Sequence, residues 1–252
     1  MDPGVRTPLI DFFRRGEVAS DVRLLAARGA LAPRAHEQLA LLLILSADPD
    51  PTIAATAGGT LDALPVASVA RFLARTDAPQ AMRDFFAARG IHPEAGAEPD
   101  DAPLVDTTEP GEREASDESD PAVLSGLPVI DRMKLAMRGT REQRAQLIRD
   151  SNRLVAVAVL SSPKLTEAEV EAFARMANLS EDVLRIIATN RAWVKNYNVV
   201  AALTRNPKTP VALAMGFLQR LNDRDLKMLA IDRNVPEPVR LAARKFAAKG
   251  QR

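Results

Sequence analysis

An internal repeat in the C-terminal half of the chain limits the possible folds more than any other feature of the sequence. At an offset of 44 residues, Pro163 aligns with Pro207 and Phe173 with Phe217. The same offset pairs Lys164 with Lys208, Asn178 with Asn222, Ile187 with Ile231, Asn190 with Asn234, Asn152 with Asn196, Val155 with Val199 and Ala158 with Ala202. A period of about 40 to 47 residues is typical of solenoids whose units hold two or three helices. Since one unit cannot bury its apolar face alone, the repeat predicts stacked neighbours.

The repeat units are predicted to be helical throughout. The chain has 43 alanines but only 10 aromatic residues, a composition that favours closely packed helices. No window alternates apolar and polar residues as a half-buried strand does. The C-terminal half therefore predicts helices at 128–138, 141–149, 152–161, 167–177, 181–189, 191–205, 210–221, 224–231 and 237–248.

Helix start signals divide these short helices. Thr140 to Gln143 and Thr166 to Glu169 fit the capping box, in which the first and fourth side chains satisfy each other's backbone amides. Thr209 is predicted to cap a helix whose first residue is Pro210. Ser180, Asn190 and Asp223 are further expected caps.

The N-terminal half is less regular but is also predicted to be a series of short helices. It predicts helices at 7–15, 18–28, 34–46, 51–62, 66–75 and 79–89. The apolar run from Leu39 to Leu45 is expected to be a central helix that is covered on most sides. Gly29 and Gly90 each follow an Ala-Ala-Arg sequence, where a glycine in the left-handed conformation ends a helix.

Charge divides the chain into three segments. Residues 1–90 are neutral, 91–122 carry a net charge of −10 and 123–252 carry +11. Residues 94–122 are so rich in acids, proline and small residues that they cannot bury enough surface to offset the entropy cost of ordering. We therefore expect an N-terminal helical module at 1–93, an acidic disordered linker at 94–122 and a basic helical-repeat module at 123–252.

Several C-terminal stretches carry a family resemblance. Asn206 to Pro210, Ser180 to Asn190 and Asn234 to Arg240 resemble the units of leucine-rich repeat variant proteins, which are close in style to HEAT repeats. Lys134 to Gly139 and Leu147 to Val155 resemble a group of uncharacterised bacterial helical-repeat proteins. The resemblance covers residues 127–248 and implies an all-α, right-handed solenoid of short helices. It implies no activity.

The sequence excludes several kinds of reactive site. With no cysteine there is no thiol nucleophile, no disulfide and none of the cysteine-ligated iron–sulfur cluster that some variant-repeat proteins carry. His36 and His92 are not near a carboxylate pair at ligand spacing and are expected at the surface or at helix ends. We therefore predict no catalytic residue, no metal site and no cofactor.

One cluster in the repeat region suggests a binding surface. Trp193 and Tyr197 are four residues apart, as are Arg191 and Lys195, so a helix over 191–205 would place an aromatic pair beside a basic pair. Such a surface could stack on a base or hold an anionic peptide. The alternative is that the aromatic rings fill the core between repeats and the cations are solvated.

Two functions are open on these grounds. A non-catalytic interaction scaffold would bind a protein partner through the solenoid surface, as such repeats usually do. Alternatively, the basic module would bind nucleic acid, with the acidic linker competing for the same surface. We expect a cytoplasmic protein with no membrane segment, since the longest apolar run is far shorter than the roughly 20 residues that span a bilayer. The oligomeric state is left open.

Overall fold

The described part of the chain is all-α. The structure is a computed structural model that describes residues 3–5, 7–32, 34–94, 104–105 and 121–249. These residues contain helices and turns but no strand. Most of the predicted linker, 94–122, lies outside them.

Contacts divide the chain into two compact units. Unit 1 comprises Met1–Thr140 with Ser161–Pro163, and unit 2 comprises Arg141–Leu160 with Lys164–Arg252. The modules predicted above were defined by composition rather than by contacts, and their limits at 93 and 123 stay predictions. The contacts place two helices beyond residue 120 in unit 1.

Unit 1 contains the following described helices: α1 (Pro8–Arg14), α2 (Ser20–Ala27), α3 (Ala35–Leu45), α4 (Pro51–Asp62), α5 (Val66–Leu73), α6 (Gln80–Ala87), α7 (Pro121–Gly126) and α8 (Val129–Arg138). Six of them match the predicted helices of the N-terminal half to within two residues at each end. Sequence reasoning did not identify α7.

Helix α3 is the centre of unit 1 and contacts α1, α2 and α4. Six of the seven residues from Leu39 to Leu45 are at most 1% exposed, which confirms the predicted central helix. Arg23 of α2 pairs with Asp48 just after α3 at 2.7 Å. The hydroxyl of Thr60 on α4 donates to the carbonyl of Ala27 at 2.7 Å. Polar contacts therefore join the ends of α2, α3 and α4 around an apolar centre.

Unit 2 contains α9 (Arg141–Leu147), α10 (Arg153–Leu160), α11 (Glu167–Arg175), α12 (Glu181–Thr189), α13 (Tyr197–Arg205), α14 (Val211–Phe217), α15 (Asp223–Ile231) and α16 (Glu237–Lys249). Short 3₁₀ turns at Trp193–Lys195 and Leu218–Arg220 lie between them. Helices two places apart pack together, as in the pairs α10 with α12, α11 with α13, α13 with α15 and α14 with α16.

The predicted continuous helix over 191–205 is wrong. Asn196 has extended backbone angles (φ −72°, ψ 121°), which end the 3₁₀ turn and start α13 anew. The side-chain oxygen of Asn196 accepts a hydrogen bond from the amide of Asn198 at 2.9 Å. An asparagine side chain that binds a nearby backbone amide competes with the hydrogen bonds of a continuous helix. Here the cap at Asn196 starts a new helix instead.

The predicted caps are confirmed at some helices and wrong at others. Thr166 and Glu169 form the complete capping box of α11, and Ser180 caps α12. Thr209 does not cap α14, which begins at Val211 after Pro210. Asp223 is the first helical residue of α15, and its neighbour Asn222 supplies the cap, accepting from the amide of Asp225 at 2.8 Å.

The 44-residue spacing does not hold across the whole repeat. The caps Asn152 and Asn196 keep it, but α12 and α15 begin after Ser180 and Asn222, which are 42 residues apart. As a result Ile187 is fully buried, whereas Ile231, its partner at offset 44, is 69% exposed. The pairings of Asn178 with Asn222, of Ile187 with Ile231 and of Asn190 with Asn234 are therefore not structurally equivalent.

No single helix among the described residues combines the length and apolarity needed to cross a bilayer. Helices α4 and α5 meet that requirement only as a pair, and the chain bends by 87° between them.

Candidate functional site

A cavity in unit 2 opens beside α13. It has a volume of about 690 Å³ and is bordered by the end of α11, by α13, and by α15 with the turn after it. Its walls carry the side chains of Arg175, Tyr197, Asn198, Arg205, Asp225 and Asn234. We call this the unit 2 cavity.

A hydrogen-bonded network of three side chains crosses one wall of the unit 2 cavity. The hydroxyl of Tyr197, at the start of α13, donates to the carboxylate of Asp225 on α15. Arg205, at the end of α13, binds the other oxygen of the same carboxylate. The Tyr197 hydroxyl also accepts from the amide of Asn222 at 3.2 Å. Asp225 thus joins both ends of α13 to α15.

The network changes the acidity of Tyr197. Burial of the phenol raises its pKa above the usual value, and the neighbouring carboxylate of Asp225 raises the pKa further. The hydrogen bond from Asn222 and the charge of Arg205 act in the opposite direction but do not cancel the rise. Tyr197 is therefore a neutral hydrogen-bond donor at neutral pH, with 37% of its surface exposed.

Asn206 holds the floor of the unit 2 cavity in place. This side chain is only 4% exposed. Its amide nitrogen donates to the carbonyls of Ala174 and Met176, at 2.8 and 2.9 Å, where α11 ends. Its oxygen accepts from the amide of Lys208 at 3.0 Å. One amide therefore ties the end of α11 to the end of α13.

The outer rim combines amides with paired charges. The amide of Asn198 reaches the carboxylate of Glu171 on α11 at 3.4 Å. Glu171 also pairs with Arg175, which is largely exposed. Small apolar residues, among them Ala201, Ala202 and Pro207, complete the lining. Donors, acceptors and a shallow apolar floor are the features that bind a peptide, whose backbone offers both an amide and a carbonyl at each residue.

The structure brings only one of the four predicted site residues into this cavity. Tyr197 lines it, whereas Arg191 and Lys195 are exposed and Trp193 is half-buried outside the lining. The break at Asn196 separates Trp193 from Tyr197, so the two rings do not share one continuous α-helix. The binding role of the four residues stays a prediction.

Sequence reasoning missed Arg205, Asp225 and Asn206. Arg205 and Asp225 are 20 residues apart in sequence, on different helices, and no local pattern pairs them. Asn206 had a visible signal, since Asn-Pro after an apolar helix is a helix end. That signal predicts a turn residue but not the two carbonyls that the buried amide binds.

Within the described residues, no three His, Asp or Glu side chains group closely enough to hold a metal ion. His92 is exposed and His36 is half-buried in the first turn of α3, as expected for surface and helix-end residues. No known family model matches the chain, and neither a curated protein nor a solved structure is significantly similar to it.

Proposed function

We propose that this protein is a non-catalytic helical-repeat interaction scaffold, a short-helix solenoid that binds a protein partner through the unit 2 cavity. The observation that carries the proposal is the lining itself. Tyr197, Arg205 and Asp225 form a fixed polar wall, Asn198 adds an amide, and alanines form the floor. An extended peptide segment would find donors, acceptors and apolar contact in one place.

Exposed apolar side chains near the end of unit 2 also favour a protein partner. Val211 and Met215 on α14, Met228 and Ile231 on α15, and Leu241 on α16 are between 37% and 69% exposed. A contiguous patch of large apolar side chains that remains in water is typical of surfaces that bind proteins, whereas single exposed side chains are ordinary. Phosphate backbones offer such side chains no comparable contact.

The test uses peptides selected from a random library on the purified full chain. The selected peptides are then titrated by fluorescence anisotropy against the wild type, Arg205→Ala and Arg185→Ala. Arg185 is the matched control, because it is an exposed arginine paired with Glu181 and does not line the cavity. We expect about a tenfold loss of affinity for Arg205→Ala alone, which corresponds to roughly 1.4 kcal/mol. Equal affinities for all three proteins would show that the cavity is not the binding site.

Nucleic-acid binding is the second candidate, favoured by the net charge of +11 on residues 123–252. Several of these arginines already pair with carboxylates in unit 2: Arg144 with Glu169, Arg153 with Asp182, Arg175 with Glu171, Arg185 with Glu181 and Arg205 with Asp225. The net charge of +11 already counts these carboxylates, so the pairs leave it unchanged but engage five of the arginines with carboxylates. Titration with a mixed-sequence oligonucleotide at two salt concentrations tests the candidate, since counterion release makes such binding steeply salt-dependent.

The predicted acidic linker would compete with an oligonucleotide for the basic module. Replacing Glu112, Glu114 and Glu118 by Gln in the full chain removes three negative charges. If the linker competes, this variant binds the oligonucleotide more tightly than the wild type, and added salt reduces the difference. Brief proteolysis tests the linker itself, because an accessible segment at 94–122 would be cut first.

A further inference from the structure

A second recognition feature lies in unit 1, around the side chain of Gln38 on α3. Gln38 is only 1% exposed. Its oxygen accepts from the backbone amides of Leu104 and Val105, at 2.7 and 3.0 Å. Its nitrogen donates to the carbonyl of Gly29 at 2.6 Å and, more weakly, to the carbonyl of Val105 at 3.4 Å. The amide therefore contacts both the N–H and the C=O of Val105, where the chain bends.

Gly29 forms the opposite side of this contact. Its φ of +79° is in the left-handed region, and a Cβ at this position would lie 2.9 Å from the Cβ of Val105. Gly90 provides an internal comparison, because it follows the same Ala-Ala-Arg sequence and has a φ of +77°. A Cβ on Gly90 would meet no described atom within 4 Å. Of the two Ala-Ala-Arg-Gly turns, the one at Gly29 has another segment packed where a side chain would be, and the one at Gly90 does not.

The segment that fills this room is distinctive in sequence. Leu104 and Val105 are the only large apolar residues between 94 and 122. Acids flank them at Asp101 and Asp106. On the unit 1 side, Arg28 adjoins Gly29, and Arg34 immediately precedes α3. An apolar pair between acids therefore meets a buried amide; Arg28 and Arg34 are the nearest arginines in sequence, and Glu37 adjoins Gln38 directly.

We propose that Gln38 and Gly29 form a binding site for an apolar dipeptide with acidic flanks, and that Leu104–Val105 occupies it as an intramolecular ligand. The side-chain amide of Gln38 recognises the backbone of the dipeptide. The space over Gly29 selects the side chain of its second residue. Attachment to the same chain raises the effective concentration of the ligand at the site, so a weak contact stays filled. The site consequently fixes the middle of the acidic segment against unit 1 and releases it to a competing peptide of the same chemistry.

The first test is performed on the full chain. Leu104→Asp together with Val105→Asp empties the site, and a labelled synthetic peptide of residues 100–109 is then titrated by fluorescence anisotropy. We expect saturable binding to the emptied chain and at least about tenfold weaker binding to the wild type, because its own segment competes. Adding Gln38→Leu or Gly29→Ala to the emptied chain should abolish binding, whereas adding Gly90→Ala, the matched control for Gly29→Ala, should not. A folded emptied chain that does not bind the peptide would overturn the proposal.

A second measurement does not depend on the folding of any variant. Amide hydrogen exchange of the wild-type chain should show protection at Leu104 and Val105. Excess unlabelled 100–109 peptide should displace the tethered segment and reduce that protection as the peptide concentration rises. The decisive observation is a decrease in protection that saturates with peptide. Exchange of both amides at the rate of an unstructured peptide, without any added competitor, would contradict the contact and the site.

Discussion

Arg144 on α9 and Glu169 on α11 form a two-pronged ion pair inside unit 2. The two guanidinium nitrogens that face Glu169 each lie 3.0 Å from a different carboxylate oxygen. The side chains are 5% and 3% exposed. Thr166 donates to the same carboxylate through its backbone amide at 3.0 Å and its hydroxyl at 2.9 Å. One carboxylate thus completes the capping box of α11 and neutralises a buried arginine.

Removal of Arg144 should be strongly destabilising. Arg144→Ala leaves the carboxylate of Glu169 buried without its opposite charge, a change that costs about 3–5 kcal/mol in comparable pairs. Arg185→Ala is the matched control, because its pair with Glu181 is more than half exposed on both sides, and exposed pairs contribute about 0–1 kcal/mol. Urea denaturation measures both free energies of unfolding. Similar losses in the two variants would contradict the buried-pair account.

The same pair should make the free energy of unfolding depend on pH in the acidic range. Burial alone would raise the pKa of Glu169, but the hydrogen bonds from Thr166 and Arg144 outweigh it and hold the pKa below its usual value. A carboxyl with a lowered folded-state pKa stabilises the protein above its unfolded pKa of about 4.3 and loses that contribution as the pH falls through the folded pKa. Glu169→Gln should flatten this part of the pH dependence. Denaturation of the wild type and the variant from neutral to acidic pH is the measurement.

The two phenylalanines related by the 44-residue offset should differ in their contribution to stability. Phe173 is 1% exposed. Phe217 is half-buried and packs against the edge of the apolar cluster that contains Leu218 and Leu221. Phe173→Ala should cost about 3–5 kcal/mol because it opens a cavity. Phe217→Ala should cost roughly 1–2 kcal/mol, since less apolar surface is removed from contact. Thermal or urea unfolding distinguishes them, and equal costs would show that the two positions are equivalent after all.

Local signals explain why most helices could be predicted from the sequence. Capping residues such as Thr166 and Ser180 act within three residues of the helix they start, so their effect is visible in a short window. Residues 51–62 and 181–189 were predicted with the limits that the structure shows. The break at Asn196 was missed because the same residue can continue a helix or cap a new one, and tertiary packing decides between them.

The candidate sites could be predicted only in part, because they join residues that are distant in sequence. Tyr197 was identified by its aromatic character, but Asp225, its hydrogen-bond partner, is 28 residues away. The contact of Gln38 with Leu104 spans 66 residues. Neither pair has a spacing or motif that predicts proximity. Composition identified the acidic segment as a whole but not the two apolar residues within it that contact Gln38.

Asn206 should be far more important for stability than an exposed asparagine of the same region. Asn206→Ala removes two hydrogen bonds to carbonyls at the end of α11 from a buried amide. Leaving buried carbonyls without donors costs about 1–3 kcal/mol each before any relaxation or entry of water, so we expect a loss of roughly 2–3 kcal/mol. Asn178→Ala is the control, because Asn178 is exposed. A loss below that of the control would show that water replaces the amide without cost.

The unit 2 cavity can be examined spectroscopically because Tyr197 is the only tyrosine of the chain. Its tyrosinate absorbance should titrate above the usual value of about 10, since burial and the carboxylate of Asp225 both raise its pKa. Asp225→Asn removes the negative charge and should lower the apparent pKa relative to the wild type. Asp223→Asn is the matched control, because Asp223 is exposed on the same helix and is not the acceptor of the phenol. A shift of equal size in both variants would show that the network joining α13 to α15 does not control the phenol, and an unchanged pKa in Asp225→Asn would show that burial alone raises it.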